Sequence, residues 1–157
     1  MKIALVQYNP AWEDKETNKK KILSLVRDIN GVELFIFPEM TLTGFTMKSK
    51  EMSETIQGDS FRFFASIAKE KSANIFAGII ERRKNCTYNT LIHIKPDGNL
   101  CKLYRKVHPF SYSGENENYS AGSKPAYTKI KKWKIGLTIC YDLRFPELYR
   151  KYGKKKA

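Results

Sequence analysis

The chain has 157 residues and a formal net charge of +13, with 41% hydrophobic and 13% aromatic residues. This length suits one domain with a core of ordinary size, and the apolar content excludes a disordered chain. No apolar run approaches the ~18 residues of a membrane span, and MKIALVQYNP lacks the apolar stretch and small-residue cleavage site of a signal peptide.

A cytoplasmic location is the resulting expectation, with no membrane partner. The excess of lysine raises the question of a nucleic-acid partner. The lysines are scattered as KETNKKK, ERRK, KIKKWK and KYGKKK, without an accompanying binding motif, so a basic solvated surface is the favoured reading. Cys86, Cys101 and Cys140 form no CxxC pair and no metal spacing. An odd count in a cytosolic protein points to free thiols. His93 and His108 are too few for a histidine-based metal site, and His93, in the run TLIHIKP, reads as a structural strand residue.

In chain order, residues 2–8 (KIALVQY) predict a buried strand closed by Asn9-Pro10. Residues 15–29 follow as a helix, with Ile22, Leu25, Val26 and Ile29 on one face and Asn30-Gly31 as its stop. Residues 33–38 (ELFIFP) form a second strand, which makes a βαβ unit with parallel strands. Glu39 comes directly after it. Asp59 or Ser60 caps a helix over 61–71, and 74–80 (NIFAGII) is a third strand. Residues 87–95 and 99–105 form an antiparallel hairpin about Pro96-Asp97-Gly98. Residues 107–124 predict a long loop, of the kind that is often functional. Strands over 126–130 and 133–139 lead to a turn at Cys140, after which Pro146 and Glu147 open a helix. A thiol on such a turn faces backbone N–H groups and the positive end of a helix dipole, which would lower its titration.

Glu39, Lys106 and Cys140 each follow a separate strand, and neighbouring strand ends converge at one edge of a sheet. A thiol, a carboxylate and an ammonium together suit acyl transfer. The carboxylate takes the thiol proton, and the ammonium with the N–H of Tyr141 stabilises the oxyanion. Taken singly, each has a plainer reading as a packed thiol, a loop glutamate or one lysine among many.

FPEM at 37–40, LYRKVHPF at 103–110 and GLTICYDLRFPELYR at 136–150 resemble, in order, the three signature segments of the nitrilase superfamily, the carbon–nitrogen hydrolases. The resemblance implies an α/β fold, an α-β-β-α sandwich. It implies Glu39 as general base, Lys106 as oxyanion stabiliser and Cys140 as nucleophile. It also implies a second glutamate in the loop after the lysine, with Glu115 as the best match and Glu117 competing. PEMTLTGFTM and GENENYSAG resemble the omega-amidase branch, which hydrolyses the terminal amide of 2-oxo dicarboxylate monoamides such as 2-oxoglutaramate. The implied substrate is a small-molecule amide, the implied assembly a homodimer, and no metal or cofactor is needed. Arg144 is a candidate contact for an anionic substrate, with a salt bridge to Glu147 as the other reading. Phe45 is either a pocket wall or a core aromatic. The chain matches only the N-terminal part of the family pattern. It is therefore expected to be a truncated copy that leaves apolar sheet faces uncovered, and an inactive remnant is the alternative reading of function.

Overall fold

A computed structural model describes residues 1–157. Five strands form one sheet in the order β1 (Ile3–Leu5), β2 (Leu34–Ile36), β3 (Asn74–Arg83), β4 (Cys86–Ile94) and β5 (Leu100–Arg105). A second sheet pairs β6 (Ala126–Ile130) with β7 (Trp133–Leu137). β1, β2 and β3 run parallel, as a βαβ unit requires, and β3, β4 and β5 run antiparallel. The β4–β5 turn is built as its sequence indicates: Gly98 takes φ 82°, and Asp97 Oδ1 accepts the Asn99 N–H at 2.9 Å.

The helices are α1 (Lys15–Val26), α2 (Ser49–Met52), α3 (Asp59–Lys71), α4 (Glu115–Asn118) and α5 (Pro146–Lys154). Ile22 and Val26 of α1 and Phe64, Ile67 and Ala68 of α3 pack against Phe35, Phe37, Ile75 and Ile92 on one face of the large sheet. Each of these side chains other than Ala68 contributes about 1.5–3 kcal/mol on burial. On the opposite face Leu34, Phe76 and Tyr104 meet Ile130, Leu137 and Ile139. α5 lies on the outer side of the small sheet. A Cβ at Gly136 would stand 2.7 Å from the Tyr152 ring, and the Tyr152 hydroxyl donates to the Leu137 carbonyl at 2.5 Å. Helices, sheet, sheet and helix thus form the expected α-β-β-α order. Two strands cover five, so Ile3 and Leu5, in register with the inward-facing Leu34 and Ile36, stay 43% and 76% exposed. No helix is long and apolar enough to cross a membrane.

The differences from the sequence reading are local. β1 and β2 are three residues each, shorter than their apolar runs, although just past their ends the Val6 N–H still donates to the Ile36 carbonyl and the Phe37 N–H to the Phe76 carbonyl. α3 begins at Asp59, and neither Asp59 nor Ser60 caps it. The cap residue is Gly58, and the Glu54 carboxylate accepts the Ser60 N–H at 2.7 Å in place of a local side chain. The segment 107–124 is not plain loop: it holds a 3-10 turn at Ser111–Ser113 and the single turn of α4.

His93 is the structural residue its strand suggests. Its Nε2–H donates to Asn74 Oδ1 at 2.9 Å, so its Nδ1 accepts from the Thr128 hydroxyl at 2.7 Å and ties β4 to β6. Burial, with Lys95 adding, pushes its titration down to about 4. The unfolded chain takes up this proton near pH 6.5 and the folded chain only near 4, so stability is lost as pH falls through that window. The unfolding free energy from denaturant titrations should fall by about 2 kcal/mol more in the parent protein than in His93→Gln between those limits.

Candidate active site

The C-terminal ends of β2 and β5 point the same way, and they bring Glu39 and Lys106 to one end of the large sheet. β3 and β4 lie between them. Glu39 reaches across because β3 carries Gly78 at the crossing. A Cβ there would stand 2.6 Å from Met40 N and 2.8 Å from Glu39 Cα. The bare backbone instead holds the Glu39 loop: Thr41 N–H donates to the Gly78 carbonyl at 2.9 Å, and Gly78 N–H to Thr41 Oγ1 at 3.2 Å. From the helix side, Asn18 Nδ2 donates to the Leu42 carbonyl at 2.8 Å and anchors the same loop. Gly78→Ala should displace Glu39 by about 1 Å, enough for a ~100-fold loss of turnover with the fold retained. Steady-state rates and a thermal melt check this together.

Lys106 is 2% exposed and Glu115 fully buried. The Lys106 ammonium donates to Glu39 Oε1 at 2.7 Å and to Glu115 Oε2 at 2.8 Å. Burial pulls its titration down, but the charges and hydrogen bonds of Glu39 and Glu115 outweigh that and hold it above the ordinary lysine range. Two of its three hydrogens are committed, and the third has no hydrogen-bond acceptor within the protein. Glu115 Oε2 also accepts the Phe110 N–H at 2.5 Å. Glu115 thus meets Lys106, whereas Glu117 is exposed.

Cys140 comes from the other sheet. It opens a 3-10 turn, Cys140–Arg144, with φ 43°, a left-handed backbone that is strained for any residue but glycine. Its thiol is exposed and lines a cavity of about 480 Å³ with Glu39, Leu91, Thr138 and Ile139. The site is therefore an opening between two sheets rather than one sheet edge. A larger cavity of about 530 Å³, between β5 and β6, contains none of these polar groups. The expected lowering of the thiol titration does not occur. Burial and the Glu39 charge push it up, and Lys106 offsets only part of that. A single 3-10 turn offers a weak dipole beside a full carboxylate charge.

Two further residues of the site carry no motif signal in the sequence. Asn89, on β4 between Glu39 and Lys106, donates through Nδ2 to Glu39 Oε1 at 2.5 Å and to Glu115 Oε1 at 2.8 Å. An asparagine inside a strand is disfavoured, and that was its signal. Its Oδ1 is a buried polar atom with no partner, a state that costs about 1–3 kcal/mol. Asp142, fully buried, joins the Cys140 turn to the Lys106 strand. It accepts from Ile139 N at 2.9 Å, Tyr104 Oη at 2.7 Å, His108 N at 3.1 Å and His108 Nδ1 at 2.8 Å. Burial and Asp142 push the Tyr104 hydroxyl well up, so it stays a donor.

The remaining candidates line the approach. Tyr141 packs between Phe110 and Phe145, at ring distances of 4.7 and 5.4 Å. Its N–H stands in the first turn of the 3-10 segment, where leading N–H groups have no intrahelical acceptor. Phe45 combines both readings. It packs on Met40, Ile80 and Tyr119, and the Lys106 ammonium stands 5.5 Å from its ring centroid. Arg144 is exposed, and its proposed partner Glu147 pairs instead with Arg150 at 3.3 Å, so the predicted 144–147 bridge does not form. The carboxylates here are already partnered by an ammonium and an amide, and no group of three His, Cys, Asp or Glu side chains is placed to hold a metal ion.

The sequence profile of the carbon–nitrogen hydrolases matches residues 2–157. A 2-oxoglutaramate amidase of Bacillus subtilis is 30% identical over 99% of this chain and 61% of its own length. A 2-oxoglutaramate amidase of Paenarthrobacter nicotinovorans is 32% identical over 86% of this chain and 50% of its own. Among solved structures, a CN-hydrolase superfamily protein of Xanthomonas campestris superposes with a TM-score of 0.88 at 31% identity, over 92% of this chain and 55% of that one. Nit3 of Saccharomyces cerevisiae, of branch 10 of the nitrilase superfamily, gives 0.81 at 28% identity, over 99% of this chain and 60% of its own. The chain thus spans between half and about three fifths of the length of these relatives. With its profile matched from residue 2 to residue 157, the chain belongs to the carbon–nitrogen hydrolase family.

Proposed function

We propose that this site hydrolyses a small terminal amide, of the 2-oxoglutaramate type, through a thioester on Cys140. The observation that carries the reading is the Lys106 ammonium fixed between Glu39 and Glu115, with the Cys140 thiol beside Glu39. Cys140 Sγ attacks the amide carbon as Glu39 takes its proton. The third Lys106 hydrogen and the Tyr141 N–H receive the oxyanion. Glu39 returns the proton to the departing nitrogen, ammonia leaves and the thioester remains. Glu39 then activates water, which breaks the C–S bond and restores the thiol. A thiol held in its protonated form suits a base-assisted attack rather than a resting thiolate.

Two relatives named 2-oxoglutaramate amidases favour this substrate class. Arg144, unpaired with Glu147, is the proposed contact for the substrate's distal carboxylate. The test is ammonia release from 2-oxoglutaramate by the purified chain, with size-exclusion mass reporting the proposed dimer. Absence of release with a folded, monodisperse protein contradicts the reading and favours an inactive remnant.

A further inference from the structure

We propose that Asn89 is a positioning residue of this site, its side-chain amide fixing Glu39 and Glu115 around Lys106. This rests on the acyl-transfer reading above. The four groups form a closed cycle. Lys106 Nζ bridges Glu39 Oε1 and Glu115 Oε2 at 2.7 and 2.8 Å, and Asn89 Nδ2 bridges Glu39 Oε1 and Glu115 Oε1 at 2.5 and 2.8 Å. Both donors take the same oxygen of Glu39, which leaves its Oε2 for the thiol and the water. With Lys106 alone Glu39 would swing about a single contact, whereas the second donor fixes its plane.

The orientation of the amide follows from its neighbours. A carboxylate accepts only, so the NH₂ group must face both glutamates, and a flipped amide would set a carbonyl oxygen against two negative charges. This orientation leaves Oδ1 buried without a donor. The position thus satisfies the two glutamates at the expense of the amide's own pairing, as sites held for geometry do. A neutral donor also avoids the two charged choices. A second cation would compete for the oxyanion, and a third carboxylate would leave one ammonium among three negative charges. The titratable groups facing this cycle are Glu39 from the loop after β2, Lys106 at the end of β5, Glu115 on α4, Tyr119 beyond it and Cys140 from the small sheet.

Asn89→Leu keeps the size and removes both donors. It should lower kcat by ~100-fold with KM unchanged within about threefold, since a loosened base costs rate rather than affinity. Asn89→Asp supplies a readout that a structural role would not move. Its carboxyl donates one hydrogen while protonated and opposes both glutamates once ionised. Its kcat relative to the parent should therefore fall about tenfold between pH 5.5 and 8.5. The rate of Cys140 alkylation by iodoacetamide, which needs no turnover, should fall relative to the parent in the same direction. If the parent protein releases no ammonia, the function reading fails and alkylation still decides the role of Asn89. A pH-independent Asn89→Asp ratio in both measurements, or full kcat in Asn89→Leu, overturns the proposal.

Discussion

Cys140→Ala should lose ammonia release by ~10⁴-fold or more, with KM not measurable and the fold intact. The thiol is the strongest nucleophile lining the cavity that also contains Glu39, and the one hydroxyl that lines it, Thr138, is engaged by the Tyr149 hydroxyl at 3.4 Å. The side chain is exposed, and its hydrogen bond runs to the Glu39 carboxylate of the same site rather than into the core, so its removal costs little stability, within about 0.5 kcal/mol as for other surface changes. The backbone strain at φ 43° persists in alanine. A thermal melt that matches the parent, together with lost turnover, separates chemistry from folding. Turnover that survives in this variant assigns the reaction elsewhere.

Lys106→Met should have the largest combined effect, on both rate and stability. The parent cluster holds two carboxylates and one ammonium in a nearly dry space, with Lys106 and Glu115 at 2% and 0% exposure. Removing the ammonium leaves the carboxylates facing each other with only Asn89 and the Phe110 N–H as donors. Breaking a buried ion pair by deleting one partner costs about 3–5 kcal/mol. The lost oxyanion donor costs a further 10²–10³ in kcat, or about 2.7–4 kcal/mol of transition-state stabilisation. The stability deficit should shrink on acidification, because a proton shared by two close carboxylates removes their repulsion. Chemical denaturation at pH 5 and pH 8 reads this directly. Equal deficits at both pH values would mean that repulsion between the glutamates is not the cause. Arginine is no conservative substitute, because its planar fork does not fit where a compact ammonium meets two oxygens.

Much of this was legible in the sequence because it is carried by residues next to strand ends. Glu39, Lys106 and Cys140 each follow an apolar run, and the three signature segments give them an order. What was not legible lies in contacts between elements. Glu54 caps α3 from outside the helix, so the local sequence pointed to Asp59 or Ser60. Gly78 reads as a weak point in a strand until the Glu39 loop is seen to pack on its bare backbone. Asn89 acts through partners 26 and 50 positions away, and Asp142, besides Ile139 in its own turn, reaches Tyr104 and His108 38 and 34 positions away, separations that no local pattern encodes. The direction of the Cys140 titration is hidden from the sequence for the same reason. The helix dipole is visible in the order of residues, whereas the opposing Glu39 charge arrives from the other sheet.

The most direct test is acid-quench mass spectrometry of the protein mixed with 2-oxoglutaramate. The expected result is a thioester-linked acyl adduct on the peptide containing Cys140, formed and lost on the timescale of ammonia release and absent in Cys140→Ala. Ammonia release with no adduct on that peptide, or an adduct on another residue, would contradict the assignment of Cys140, Glu39 and Lys106 to one acyl-transfer site.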